Sequence, residues 1–294
     1  MDWKKEGHTW SLPEISRFSS VRPYNWHVQD TNNKDKPVLL LLHGTGASTH
    51  SWAPLIPKFT KDFRIIAIDL PGHGFTQTKS LNRSSLKNMA DDIISLLIAE
   101  CIKPKLIMGH SAGAALAFRL AIDIGYEVSG IISINGVLDS YFEGFNSFLF
   151  PIAAKALALN PLAAPLIANV NKIANKTKNI YKVTGSNVNE SSKDFYTRLF
   201  SDTDHISGTL SMMAQWKLER LNNELNYLKQ RSLFLIGEND RMVSLEALKG
   251  YASKVKGSTI IIEKNLGHLM HEEAPSLIYS HVSHFYNKIN SDQN

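Results

Sequence analysis

The run Gly109-His110-Ser111-Ala112-Gly113 constrains this chain most, because it joins the apolar Lys105-Leu106-Ile107-Met108 to Ala114-Ala115-Leu116-Ala117-Phe118-Arg119-Leu120. The first segment predicts a buried strand and the second a helix packed on a sheet. Glycines on either side let the backbone turn sharply and leave Ser111 exposed at the strand end in a strained conformation, the geometry of a nucleophile elbow. The string alone recurs by chance; the strand before it and the helix after it give it weight.

Two further segments fit the same chemistry. Upstream, Pro37-Val38-Leu39-Leu40-Leu41-Leu42 runs into His43-Gly44-Thr45-Gly46-Ala47-Ser48, which reads as an oxyanion loop at a strand end. In such sites one backbone N–H comes from the residue after the His-Gly pair and the other from the residue after the nucleophile. Those residues are Thr45 and Ala112. Downstream, Asp240 follows the apolar Leu233-Phe234-Leu235-Ile236, and His268 follows Thr259-Ile260-Ile261-Ile262. Nucleophile, acid, base is the chain order this arrangement requires.

Serine is a weak nucleophile at its ordinary pKa and needs a base in hydrogen-bond reach, itself oriented by a carboxylate. His268 is the expected base and Asp240 its expected partner, fixing the imidazole tautomer and stabilising the imidazolium. Asp139, after Ile134-Asn135-Gly136, is a rival acid. Asp240 is preferred because its Gly237-Glu238-Asn239-Asp240-Arg241-Met242-Val243 turn follows a strand directly.

Composition narrows the alternatives. A chain of 294 residues with 43% hydrophobic and 20% charged residues is a folded globular protein with a sizeable core. The net charge of +5 is mildly basic, and the lysines form no basic, aromatic-interleaved stripe, so no nucleic-acid partner is expected. Cys101 is the single cysteine, which excludes an internal disulfide and a cysteine metal cluster. The start, Met1-Asp2-Trp3-Lys4-Lys5-Glu6-Gly7-His8, has no secretory signal, and a cytoplasmic location is the expectation. Between Phe148 and Ala168, Pro151, Pro161 and Pro165 interrupt the most apolar stretch, so no transmembrane segment is expected. Neither a G-x-x-x-x-G-K-[ST] loop nor a dinucleotide fingerprint occurs, so no cofactor is expected.

Ser16 to Val21 and Tyr24 to Gln29 read as an edge hairpin, and six further strands alternate with helices from Pro37 onward. The rhythm predicts an α/β class chain: a mostly parallel eight-stranded sheet with helices on both faces. It breaks between Asp139 and Leu228, where Ala- and Leu-rich helical sequence predicts a cap inserted after the sixth strand. The expected division is therefore core over 1–138, cap over 139–228 and core again over 229–294. Aromatics crowd the start of the cap, and Met212, Met213 and Trp216 lie near its end. Phe142, Met213 and Trp216 are candidate pocket residues, favouring an apolar substrate. His43 and His110 are further candidates to line the pocket, although their neighbours favour hydrogen bonding inside the turns. His271 fits neither H-E-x-x-H nor H-x-x-E-H, so no metal is expected. His73, in Asp69-Leu70-Pro71-Gly72-His73-Gly74, reads as scaffold.

From about Trp26 to Phe285 the chain resembles the α/β-hydrolase superfamily. The phrases Trp26-His27-Val28-Gln29, His43-Gly44-Thr45-Gly46-Ala47-Ser48-Thr49-His50-Ser51-Trp52, Asp69-Leu70-Pro71-Gly72-His73-Gly74-Phe75-Thr76 and Gly267-His268-Leu269-Met270-His271-Glu272-Glu273 are similar to one branch. That branch is the magnesium-chelatase accessory hydrolase of bacteriochlorophyll biosynthesis clusters. The resemblance implies the α/β-hydrolase fold, an ester or tetrapyrrole-like substrate, and an indirect association with magnesium chelatase. Two functions follow: a serine hydrolase acting on an ester or related acyl bond, or a non-catalytic tetrapyrrole-binding or chelatase-accessory protein. Aspartate-nucleophile dehalogenases and epoxide hydrolases are disfavoured by Ser111.

Overall fold

The computed structural model describes residues 1–78, 81–139, 156–157, 159–174 and 180–291. Eight strands form one sheet: β1 (Ser16–Ser19), β2 (Trp26–Asp30), β3 (Val38–Leu42), β4 (Arg64–Ile68), β5 (Pro104–His110), β6 (Gly130–Ile134), β7 (Arg231–Gly237) and β8 (Ser258–Glu263). Their spatial order is β1-β2-β4-β3-β5-β6-β7-β8. The predicted hairpin supplies the antiparallel edge, β1 on β2 and β2 on β4, while β4, β3, β5, β6, β7 and β8 run parallel.

A parallel strand covered on both faces reads as an unbroken apolar run, and β3 is buried at all of its positions. Its side chains still alternate between the faces. Leu40 and Leu42 join the core cluster of α1 (Leu86–Ala99) and α2 (Ala112–Ile124). Leu39 and Leu41 join the opposite cluster, with Phe59, Ile278, Val282 and Phe285, the last three from α7 (Pro275–Ser291). Each fully buried leucine contributes about 1.5–3 kcal/mol, so β3 ties the two layers together. Helix α1 starts where Ser85 Oγ accepts from Asn88 N, an N-cap that satisfies one otherwise unpaired donor.

Between β6 and β7 the described residues are helical or irregular and hold no strand. They include α3 (Ala163–Ala174), α4 (Ile180–Thr184), α5 (Glu190–Leu199) and α6 (Thr203–Gln215). This insertion is packed on the sheet layer: Met212, Leu218, Leu221 and Leu225 belong to the same core cluster as β3. The N-terminal segment straps it from outside. Trp10 stacks edge-on to Phe75 and Phe195, and Arg198 lies 4.8 Å over Trp10 while pairing with Glu6. Among the described residues no helix is long and apolar enough to cross a membrane.

Candidate active site

Strand β5 runs directly into the elbow. Ser111 adopts φ 53° and ψ −120°, a region that L side chains rarely occupy and that costs about 1–3 kcal/mol. Hydrogen bonds hold it there: Ser111 N donates to Ile134 O at 3.0 Å, and Ser111 O accepts from Ala114 N and Val137 N at 3.1 Å each. Close approach explains the flanking glycines. A Cβ on Gly109 would lie 2.2 Å from Gly113 O, and one on Gly113 would lie 2.1 Å from Leu42 O. Helix α2 therefore rests against the strand ends at a spacing that only glycine permits, with Ala112 as its first residue. The first N–H groups of a helix have no partner within it.

The His43-Gly44-Thr45 loop lies against this elbow, since a Cβ on Gly44 would stand 3.0 Å from both Ser111 Cβ and His110 Nδ1. Thr45 Oγ1 donates to Met212 Sδ at 3.6 Å. Met212 thus meets the Thr45 loop, while the candidate pocket residue Met213 is half-buried one position further round α6. Trp216 is half-buried against the core cluster with its Nε1 enclosed, and Phe142 lies outside the described residues.

His268 and Asp240, the candidate base and acid, are brought together: His268 Nδ1 donates to Asp240 Oδ2 at 2.8 Å, with only 7% and 1% of the two side chains exposed. Asp240 Oδ1 accepts from Met242 N at 2.7 Å and Val243 N at 3.1 Å. The turn after β7 therefore holds one carboxylate oxygen and turns the other towards the imidazole. The rival Asp139 is instead hydrogen-bonded by Asn222 Nδ2.

His43 and His110 are turn-stitching groups. His43 is fully buried, its Nδ1 donating to Gly44 O at 2.8 Å and its Nε2 accepting from Leu70 N at 3.0 Å. Both ring nitrogens are spent on backbone, which corrects its assignment to substrate. His110 Nε2 donates to His268 O at 2.9 Å, and its ring lies 4.7 Å from that of His268. It links the elbow to the base loop, and with 3% of it exposed it offers a substrate almost no surface. Burial pushes the pKa of His43 and, further, of His110 below the ordinary histidine value, so both stay neutral.

Several positioning residues were not singled out in the sequence. Asn135, at φ 44°, donates through Nδ2 to Gly267 O at 2.9 Å and His268 O at 3.0 Å, and accepts at Oδ1 from Gly237 N at 2.9 Å. One side chain thereby pins the base loop to the end of β7. The Asn-Gly pair after β6 was the available signal. Asp69 is a second node, accepting from Thr49 N at 2.7 Å, Phe75 N at 2.9 Å and His27 Nδ1 at 2.8 Å. Burial acts to raise its pKa, but His27 and these bonds hold it well below the carboxylate range. His205 of α6 donates to Gly46 O at 3.1 Å and accepts from Gly74 N at 3.0 Å, so the insertion braces the oxyanion loop.

A third group lies behind His110. The His271 ring is 4.4 Å from it, and His271 Nε2 donates to Ser51 Oγ at 2.7 Å. Ser51 Oγ in turn donates to Glu272 Oε1 at 2.5 Å, which also accepts from Tyr196 OH at 2.8 Å. Burial lowers His271 to about 3 and raises Glu272 to about 7. Among the described residues no group of three or more His, Cys, Asp or Glu side chains could hold a metal ion.

The insertion also reaches the loops that carry Asp240 and His268. Thr184 O accepts from His268 N at 3.0 Å and from Arg241 N at 3.5 Å. Ser186 Oγ accepts from Leu269 N at 2.7 Å, and a Cβ on Gly267 would lie 2.4 Å from Gly185 C.

The family model for the alpha/beta hydrolase fold matches residues 37–275. The Magnesium-chelatase 30 kDa subunit of Rhodobacter capsulatus is 36% identical over 274 residues, 93% of this chain and 95% of that protein. The uncharacterized hydrolase YugF of Bacillus subtilis is 24% identical over 94% of this chain and 98% of its own length. An alpha/beta hydrolase fold protein from Burkholderia ambifaria superposes with a TM-score of 0.77 at 20% identity, covering 91% of this chain and 97% of that one.

Proposed function

Because the chain belongs to the alpha/beta hydrolase family, we propose that it is a serine hydrolase cleaving an ester or related acyl bond of an apolar substrate. The observation that carries this is the 2.8 Å bond from His268 Nδ1 to Asp240 Oδ2, together with a serine held at φ 53° whose neighbour His110 bonds His268 O. With Nδ1 committed as donor, His268 presents Nε2 as the acceptor that removes the Ser111 proton. Ser111 Oγ attacks the acyl carbon, and the developing oxyanion is received by the N–H groups of Thr45 and Ala112. Each such donor is worth about 2.7–4 kcal/mol in comparable sites. His268 then protonates the leaving group, and water, activated by the same nitrogen, releases the acid. The positive end of α2 favours the anion at Ser111.

The likeness to a magnesium-chelatase subunit supports a place close to magnesium insertion, with a tetrapyrrole ester as the substrate class. Incubation of the wild type and Ser111→Ala with a fluorophosphonate probe and a p-nitrophenyl ester tests the chemistry. Labelling and turnover confined to wild type are expected. A folded wild type that neither labels nor turns over refutes the hydrolase and leaves non-catalytic tetrapyrrole binding, read by absorbance titration.

A further inference from the structure

Half of the exposed large apolar side chains among the described residues fall between positions 157 and 183: Leu157, Leu159, Leu162, Leu166, Val170 and Val183. Their arrangement follows helix geometry. Ala164 and Ala168 of α3 face inward onto Ile206 and Leu210 of α6. Leu162, Leu166 and Val170, four residues apart, lie on the outward side, 72%, 65% and 38% exposed. Single exposed leucines are ordinary, but a contiguous apolar stripe marks a surface that is covered in use.

Charge identifies what covers it. Residues 144–189 contain five lysines (Lys155, Lys172, Lys176, Lys178 and Lys182) and no aspartate, glutamate or arginine. This one stretch accounts for the whole +5 of the chain, whose remaining basic and acidic residues balance. Lys182 is exposed on α4, next to Val183. An exposed aliphatic stripe on a helix whose surrounding sequence is rich in lysine and free of acid matches a surface that offers hydrocarbon beneath negative charge. Nucleic acid offers the charge without the hydrocarbon.

We propose that the outer face of α3 docks on an anionic lipid bilayer, lying on the membrane without spanning it. The leucines enter the acyl boundary, and the basic charge of the stretch favours anionic headgroups. Docking is independent of the Ser111 chemistry, and Ser111→Ala protein binds equally.

Flotation of the full-length protein with vesicles tests this, comparing phosphatidylcholine alone with equal parts of phosphatidylcholine and phosphatidylglycerol, at low and high salt. The wild type is expected to partition at least about tenfold more strongly onto the anionic vesicles and to lose most of that preference at high salt. Leu162→Glu with Leu166→Glu weakens partitioning by at least about tenfold. Ile98→Glu, at a 72% exposed apolar position on α1, leaves it unchanged. A cooperative thermal melt checks the fold of each variant, and Leu162→Ser with Leu166→Ser replaces the charged pair if that pair does not melt cooperatively. Equal binding to both vesicle types, no binding, or binding insensitive to the stripe variants overturns the proposal. So does a wild-type dimer that the stripe variants dissolve, which assigns the face to a second copy of the chain.

Discussion

Glu272→Gln isolates the energetics of the buried block behind the site. The Glu272 side chain has no solvent exposure, and its Oε1 is already taken by Ser51 and Tyr196. Burial raises its pKa from 4.5 to about 7. Below pH 4.5 folded and unfolded chains both hold the proton. Above it the unfolded chain releases the proton while the folded one keeps it until about pH 7, so the native state binds more protons and stability falls as pH rises through that window. A difference of roughly 2.5 pH units at about 1.4 kcal/mol each amounts to about 3 kcal/mol lost by pH 8, most of it between pH 5 and 8. Glutamine keeps the shape and the Oε1 acceptor but has no proton to lose. Urea unfolding followed by tryptophan fluorescence should show the stability of Glu272→Gln, relative to wild type, rising by most of that amount from pH 5 to 8. A gap that stays constant with pH refutes the assignment of a proton-holding carboxyl to this position.

Asp240→Asn leaves the shape of the acid turn but no longer secures the Nδ1–H tautomer, and kcat on an activated ester should fall by about 10⁴. Asp139→Asn, at a carboxyl engaged by Asn222, should change kcat by less than about threefold; equal losses in the two variants would reverse the choice of acid. Gly113→Ala drives a methyl to 2.1 Å from Leu42 O and should lower stability by about 3 kcal/mol, seen as a fall in Tm; an unchanged Tm would contradict the close packing of α2 on β3. Asn135→Ala strips partners from Gly267 O, His268 O and Gly237 N. Lower stability by about 2–4 kcal/mol is expected, together with a lower kcat, because the His268 loop loses its anchor.

The sheet was legible because parallel strands are unbroken apolar runs, and Val38–Leu42 and Leu233–Ile236 have no other reading at their length. The elbow was legible because two glycines and a serine at fixed spacing serve one backbone geometry. Asn135 escaped because its role lies in side-chain bonds to Gly267, His268 and Gly237, more than a hundred residues away, which local patterns do not encode. Glu272 and Glu273 look alike as an acidic pair at a helix start, yet Glu272 is buried and Glu273 bonds Gly267 N and Asn187 N. Met212 and Met213 show the same limit: neighbouring residues on a helix point about 100° apart, and sequence alone does not set which one meets Thr45.

The shared acceptor at Thr184 bears on how this chain can be re-engineered. A designer exchanging 139–228 as a cassette would take away the carbonyl from which the turns bearing Arg241 and His268 both hang. The graft would arrive with the His268 loop unanchored. A transplant that retains residues 184–187 from the recipient keeps that suspension point and separates the choice of substrate from the alignment of the machinery.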